Sequence, residues 1–401
     1  MATLFLIIIY LSFISLGLPD SLIGVAWPVM QPDIGASFES AGLLSMVVAG
    51  GTIVSSLASG KIIERLGTGL VTLFSCLMTA GALFGFSFAP SLAWLILLAI
   101  PLGLGAGAVD SGLNHYVAFH YKAHHMSWLH CFWGVGATAG PIIMSFYIAS
   151  NGWRNGYTAV AFVQFGLVIL LFVTLPLWKK VAALHQSSGP QTNGTDSTVG
   201  GEGQINAPDH SSIKPLKIRG VKITLIAFLF YCGVEMTVGL WGASFLVGIK
   251  ELSAETAATW VSMYYGGITV GRLITGFITL KVSNQTLIRM GQITALCGAV
   301  LLLLPLHSIF ALFGLVLIGL GLAPIFPCLL HETPVRFGKE HSSRIMGYQM
   351  AVAYTGTTFL PPLFGLLASQ WTIALFPVVV FLFIVAMFMG SEKVNRMIQH
   401  Q

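Results

Sequence analysis

The sequence predicts an all-α membrane protein of twelve transmembrane helices in two pseudo-symmetric six-helix bundles. Three observations lead there. Of 401 residues, 55% are hydrophobic and only 8% charged, against ~25% charged in ordinary soluble domains. The apolar residues are gathered into runs long enough to cross a bilayer, which takes ~20 residues of helix. These runs fall six on each side of a single polar gap. No compact soluble fold could bury so much apolar surface, so the lipid bilayer is the expected solvent.

In chain order, the predicted spans cover residues 4–30, 38–60, 68–89, 91–119, 126–150, 156–178, 220–249, 255–280, 286–306, 308–330, 343–368 and 371–390. The first begins near Met1, lacks a basic leading region and runs past residue 25, longer than a cleavable signal peptide. It reads as a retained span, interrupted by Gly17, Pro19 and Gly24. In the tenth, Pro324 and Pro327 break the helix and offer a gate. Between the sixth and seventh lies a stretch rich in Ser, Gly, Thr, Asn and Gln with little to bury. The expected division is therefore an N-terminal bundle at 1–180, a flexible cytoplasmic tether at 181–219 and a C-terminal bundle at 220–401.

Loop cations set the expected orientation. With the amino terminus cytoplasmic, 17 of the 19 basic residues lie inside and only Arg154 and Lys250 outside, as the positive-inside rule requires. Both termini are then cytoplasmic, and the Asn-Gly-Thr at Asn193 never meets a glycosylation enzyme. The halves also read as repeats offset by about 216 residues: Gly60 to Arg65 with Gly276 to Lys281, Gly103-Leu104-Gly105 with Gly319-Leu320-Gly321, and Asp20 within one residue of Glu235. Three anchors at one offset favour duplication around a central cavity.

Several function classes are excluded at this stage. A net charge of +5 spread along the chain is no nucleic-acid footprint. Five cysteines inside apolar segments, without Cys/His ligand spacing, suggest neither disulfides nor a metal. No phosphate-binding loop or dinucleotide fingerprint is present, so an enzyme is not expected and no cofactor is implied. Uphill movement would need an ion gradient, a proton in the leading reading with sodium left open.

Ionisable groups inside hydrocarbon are costly and so are functional candidates. Asp20 follows Pro19 at a helix break, and Asp110 lies among Gly103, Gly105, Gly107 and Gly112 with Asn114 one turn on. His130 is expected at a similar depth, where carboxylate and imidazole could relay protons. Asp20, Asp110 and His130 are the proton-coupling candidates. Glu235 sits near the middle of the seventh span, with Tyr231 one turn earlier and Trp27 and Trp241 in comparable positions of the two halves. Rings beside an acid suit a polyhydroxylated ligand, whose C–H faces stack while its hydroxyls hydrogen-bond. With Asn114, and Gln349 and Tyr354 from the eleventh span, these are the substrate-binding candidates. Some also have a bland reading: helix-break repair for Asp20, hydrogen-bonded filler for His130, an interfacial belt for the tryptophans.

The turn Gly60-Lys61-Ile62-Ile63-Glu64-Arg65-Leu66-Gly67 resembles the signature of the major facilitator superfamily between its second and third spans. The resemblance implies that fold, and a cytoplasmic latch of Gly60, Glu64, Arg65 and Gly67 with Arg272 in the second copy. Four segments are similar to the fucose–proton symporter family: GLGAGAVDSGLN in the fourth span, LHCFWGVGATAGP from Leu129, YCGVE from Tyr231 and GLGLAPIFP from Gly319. It implies a protonatable carboxylate at Asp110 with Asn114 as its polar partner. The expected protein is a monomeric proton-coupled sugar symporter of the plasma membrane working by alternating access, with proton-driven efflux of an amphipathic compound as the alternative.

Overall fold

The computed structural model describes residues 2–121, 123–150, 152–187, 215–279 and 281–399. They form α1 (Ala2–Asp20), α2 (Leu22–Asp33), α3 (Ser40–Leu66), α4 (Thr68–Phe86), α5 (Leu92–His120), α6 (Ala123–Ser150) and α7 (Trp153–Ser187) in the first half. The second half holds α8 (Val221–Gly248), α9 (Ala254–Ile278), α10 (Asn284–Leu303), α11 (Ile309–Leu322), α12 (Ile325–Phe337), α13 (Lys339–Gln370) and α14 (Phe376–Gln399). The first span is thus α1 plus α2, broken at Ser21 just after Pro19, and its Oγ donates to the Ala137 carbonyl at 3.1 Å. The tenth is α11 plus α12, broken at Pro324. Both breaks sit where proline removes a backbone donor.

Eleven of the twelve predicted segments have the length and hydropathy to cross a membrane. The remaining one, α9, is long enough at 25 residues, but Arg272, Tyr264, Tyr265 and its glycines dilute its hydropathy. It is packed between α6 and α11, where polar side chains meet protein rather than lipid. The tether is shorter than its composition suggested, because α7 continues to Ser187 and a 3₁₀ turn occupies Pro215–Lys217. Good helix formers such as Ala182, Ala183 and Leu184 carry the helix past the lipid boundary. Residues 188–214, Asn193 among them, lie outside the described residues.

The repeat is visible in backbone contacts. A Cβ on Gly103 would strike the Val48 carbonyl, and a Cβ on Gly319 the Tyr264 carbonyl. Gly51 abuts Gly103 and Leu104 as Gly267 abuts Gly319 and Leu320; Gly105 faces Ser75 and Thr79 as Gly321 faces Gly291 and Ala295. Every one of these pairs is related by 216 residues. The same glycine crossings therefore join the second to the fourth span and the third to the fourth in both halves, by backbone approach that only small residues permit.

The bundles meet through α6 with α9, α3 with α13, and α2 with α8 and α9. Gly24 lies on the backbone of Gly239 and Leu240, Gly42 on Pro362, and Ser145 Oγ bonds the Glu255 carbonyl (2.9 Å) and Thr259 Oγ1 (2.8 Å). All three contacts lie towards the end of the bundle remote from the termini, so that end is shut.

Candidate functional site

The Glu235 carboxylate, midway along α8, accepts from Arg272 of α9 at 3.3 Å, and both side chains are nearly enclosed, at 14% and 16% exposure. The guanidinium in turn lies over the ring of Trp133 in α6, 5.0 Å from its centroid, within cation–π range. That indole donates from Nε1 to Asp20 Oδ2 at 2.7 Å, at the end of α1. An unbroken chain, Asp20–Trp133–Arg272–Glu235, therefore runs from the first bundle to the second. Tyr265 flanks it edge-on to Trp133 (centroids 6.5 Å). Asp20 is exposed although it lies deep in the bundle. With the far end shut, its access is from the side of the termini.

Asp110 stands on α5 with Asn114 Nδ2 donating to its Oδ1 at 2.9 Å, the one-turn pairing that the spacing predicted. Asp110 and Glu235 are both within electrostatic reach of Asp20. The seam beside Asp110 is polar: Ser56 Oγ donates to the Gly107 carbonyl (3.2 Å) and Ser59 Oγ meets Ser111 Oγ (2.7 Å). Tyr354 of α13 lies across this seam, within electrostatic reach of Asp110. Tyr231 is buried between α8 and Phe326 (centroids 5.7 Å) and near Arg272. Its hydroxyl faces the Arg272 guanidinium.

Other predicted site residues are placed differently. His130 makes no hydrogen bond to Asp110 among the described residues; it stands edge-on to Phe13 (5.9 Å) and within electrostatic reach of Arg272. Trp27 and Trp241 are fully buried, their indoles spent on the Phe38 (2.9 Å) and Pro361 (2.8 Å) carbonyls, and Phe38 stacks on Trp241 at 4.7 Å. They fasten the shut end and present no face to a ligand in this conformer. Gln349 is buried in a reciprocal pairing with Thr333 (2.9 and 3.0 Å), joining α12 to α13. Arg272 is parted from the latch group and is no loop cation, because an intramembrane charge is held where its counter-ion is. Gly60, Glu64, Arg65 and Gly67 close α3 at the termini end, Gly67 as a cap with φ of 78°. Glu64 and Arg65 are exposed, and neither joins an ion pair among the described residues. Glu332 pairs with Arg336 at 3.2 Å inside α12.

Sequence reading missed Trp133 and Tyr265. The available signal was an indole one turn beyond His130 facing glycine-rich neighbours, and a Tyr-Tyr-Gly-Gly run; neither differs from ordinary packing without a partner in view. Among the described residues no cluster of His, Cys, Asp or Glu could hold a metal ion.

The family profile described as Major Facilitator Superfamily matches residues 9–353. The chain is 27% identical over 292 residues to the glucose/mannose transporter GlcP of Bacillus subtilis, covering 70% of this chain and 67% of that one. It is 20% identical over 398 residues to the sodium-dependent glucose transporter 1A of Mus musculus, covering 90% and 89%. Among solved structures, the D-xylose-proton symporter superposes with a TM-score of 0.72 at 13% identity over 97% of this chain and 96% of that one, a likeness of fold.

Proposed function

Because the chain belongs to the Major Facilitator Superfamily, and so is a multi-pass membrane transporter rather than an enzyme, we propose that it carries a sugar or similar polyhydroxylated molecule together with a proton by alternating access. The observation that carries this reading is the polar centre itself: Asp20, Asp110 and Glu235 share the interior with Arg272, and the first of them is reached from the termini side. Carboxylates outnumbering cations there must shed charge when the cavity is sealed, and taking up protons does so at the least cost. Asp20 and Asp110 are the proton carriers in this reading. Asn114, Tyr231, Tyr354 and the Arg272–Glu235 pair offer donors, acceptors and ring faces to hydroxyl groups. The likeness to glucose carriers supports a sugar, and the proton is the coupling ion in this reading because protonation lets these acids shed their charge as the cavity closes. The exposed Glu64 and Arg65 would engage as a latch only once the termini side closes. Cytoplasmic termini follow from the cation distribution, and a plasma-membrane location is part of the same proposal.

In proteoliposomes given D-glucose, D-mannose and D-xylose separately, an inwardly directed proton gradient should drive accumulation of at least one of them. Asp110→Asn should abolish that accumulation and leave counterflow exchange of the same sugar measurable. Undiminished concentrative uptake by Asp110→Asn would remove Asp110 from coupling, and failure of every sugar, with accumulation of a cationic dye instead, would favour efflux.

A further inference from the structure

Trp133 packs against the apolar cores on both sides of it, and its ring also makes two polar contacts that packing alone does not require. Its backbone already forms the close crossing with α1, where Gly17 lies against the Trp133 carbonyl. The ring is engaged at both of its chemically distinct sites. Nε1–H is engaged by Asp20 of the first bundle, while the π face is engaged by Arg272 of the second. An indole donor aimed at an ionised carboxylate makes a bond roughly twice as strong as one to a neutral acceptor. The ring is thus held under the guanidinium for as long as Asp20 is charged.

The Arg272–Glu235 pair is correspondingly loose at 3.3 Å, longer than a tight charge-assisted contact of about 2.7–2.9 Å. Arg272 is shared among the ring, Glu235 and the Tyr231 hydroxyl. Anything that frees the ring lets the guanidinium settle fully on Glu235.

We propose that Trp133 is the positioning residue through which protonation of Asp20 in the first bundle is read by the Arg272–Glu235 pair in the second. The step is acid–base and conserves charge: a proton from the termini side binds an Asp20 oxygen, and the indole bond weakens. The ring then rotates from the guanidinium, and Arg272 moves toward Glu235. Because α6 and α9 form the broadest contact between the bundles, a ring movement there changes how they meet. This inference rests on the reading of the protein as proton-coupled, but needs no particular substrate. Other ionisable groups face the same centre: Asp110 from α5, His130 from α6, Tyr231 and Glu235 from α8, and Tyr264 and Tyr265 from α9. The tyrosines do not titrate near neutrality, so Asp110 and His130 are the competitors to be controlled.

The test uses the full chain in nanodiscs without substrate. Spin labels are placed at Phe88→Cys and His307→Cys, in exposed end loops of the two bundles, with Cys131 and Cys297, which are not buried, changed to serine. The inter-label distance distribution is recorded on either side of neutral pH. In otherwise unchanged protein the populations of long and short distances should exchange with pH. In Trp133→Phe, which keeps an aromatic face but loses N–H, that response should vanish, with the acid distribution present throughout. Asp20→Asn should give the same result without altering the ring, which covers the case in which Trp133→Phe folds poorly. Asp110→Asn and His130→Gln should still respond. A wild-type pH response in Trp133→Phe, or a response lost in Asp110→Asn but kept in Asp20→Asn, would overturn the relay; so would a wild-type distribution indifferent to pH. Absence of sugar accumulation would count against the transport reading alone.

Discussion

Glu235 and Arg272 account for each other's presence among apolar helices. A charge in that setting is tolerated only beside its opposite, and each is almost enclosed. Glu235→Gln should therefore lower stability by about 3 kcal/mol, because it leaves Arg272 uncompensated. The double variant Glu235→Gln with Arg272→Met should recover most of the melting temperature in detergent while remaining inactive. If the single and double variants melt alike, the pair has no electrostatic role. Residue identity alone singled out Glu235, Asp110 and Asp20, since acids in hydrocarbon are conspicuous. The pairing Asp110–Asn114 was equally legible, being one helical turn. Arg272 was not, because a cation near the end of a span looks like a loop cation until its counter-ion on another helix is known. Trp27, Trp241 and Gln349 show the converse. The indole faces and the Gln349 amide were expected to meet a ligand, but both rings are buried with their N–H groups on carbonyls, and Thr333 occupies the amide.

At the scale of the helix, glycine spacing decides how closely spans approach. Gly103→Val and Gly319→Val each press a branched side chain onto a backbone carbonyl, Val48 and Tyr264 respectively. Each should cost about 1–3 kcal/mol by overpacking, with similar losses in both halves because the contacts are repeats. Gly81 lies in α4 with open space where its Cβ would stand. Gly81→Ala should be neutral or stabilise by up to about 1 kcal/mol through helix propensity. Thermal melts of the three variants check this, and equal costs at Gly81 and Gly103 would contradict the packing argument. The helix breaks at Ser21 and Pro324 were readable from proline and glycine, whereas the extension of α7 to Ser187 was not. A polar sequence with good helix formers can continue a helix into water as readily as end it.

At the scale of the whole molecule, the central acids are sealed off from the end remote from the termini. An impermeant thiol reagent should label Asn114→Cys from the side bearing the termini and not from the other; equal labelling from both sides would contradict closure. Lipid as the solvent, twelve crossings, a twofold repeat and the presence of costly interior acids were determined by the sequence itself, because hydropathy, periodicity and a constant offset are properties of position along a chain. Which end is shut, that Arg272 serves Glu235 rather than a latch, and that Trp133 bridges Asp20 to the second bundle were decided only by tertiary structure. Those are relations between α1, α6, α8 and α9, whose partners lie 37 residues apart for Arg272 and Glu235 and 113 for Trp133 and Asp20, and no local pattern encodes which far helix a side chain will meet.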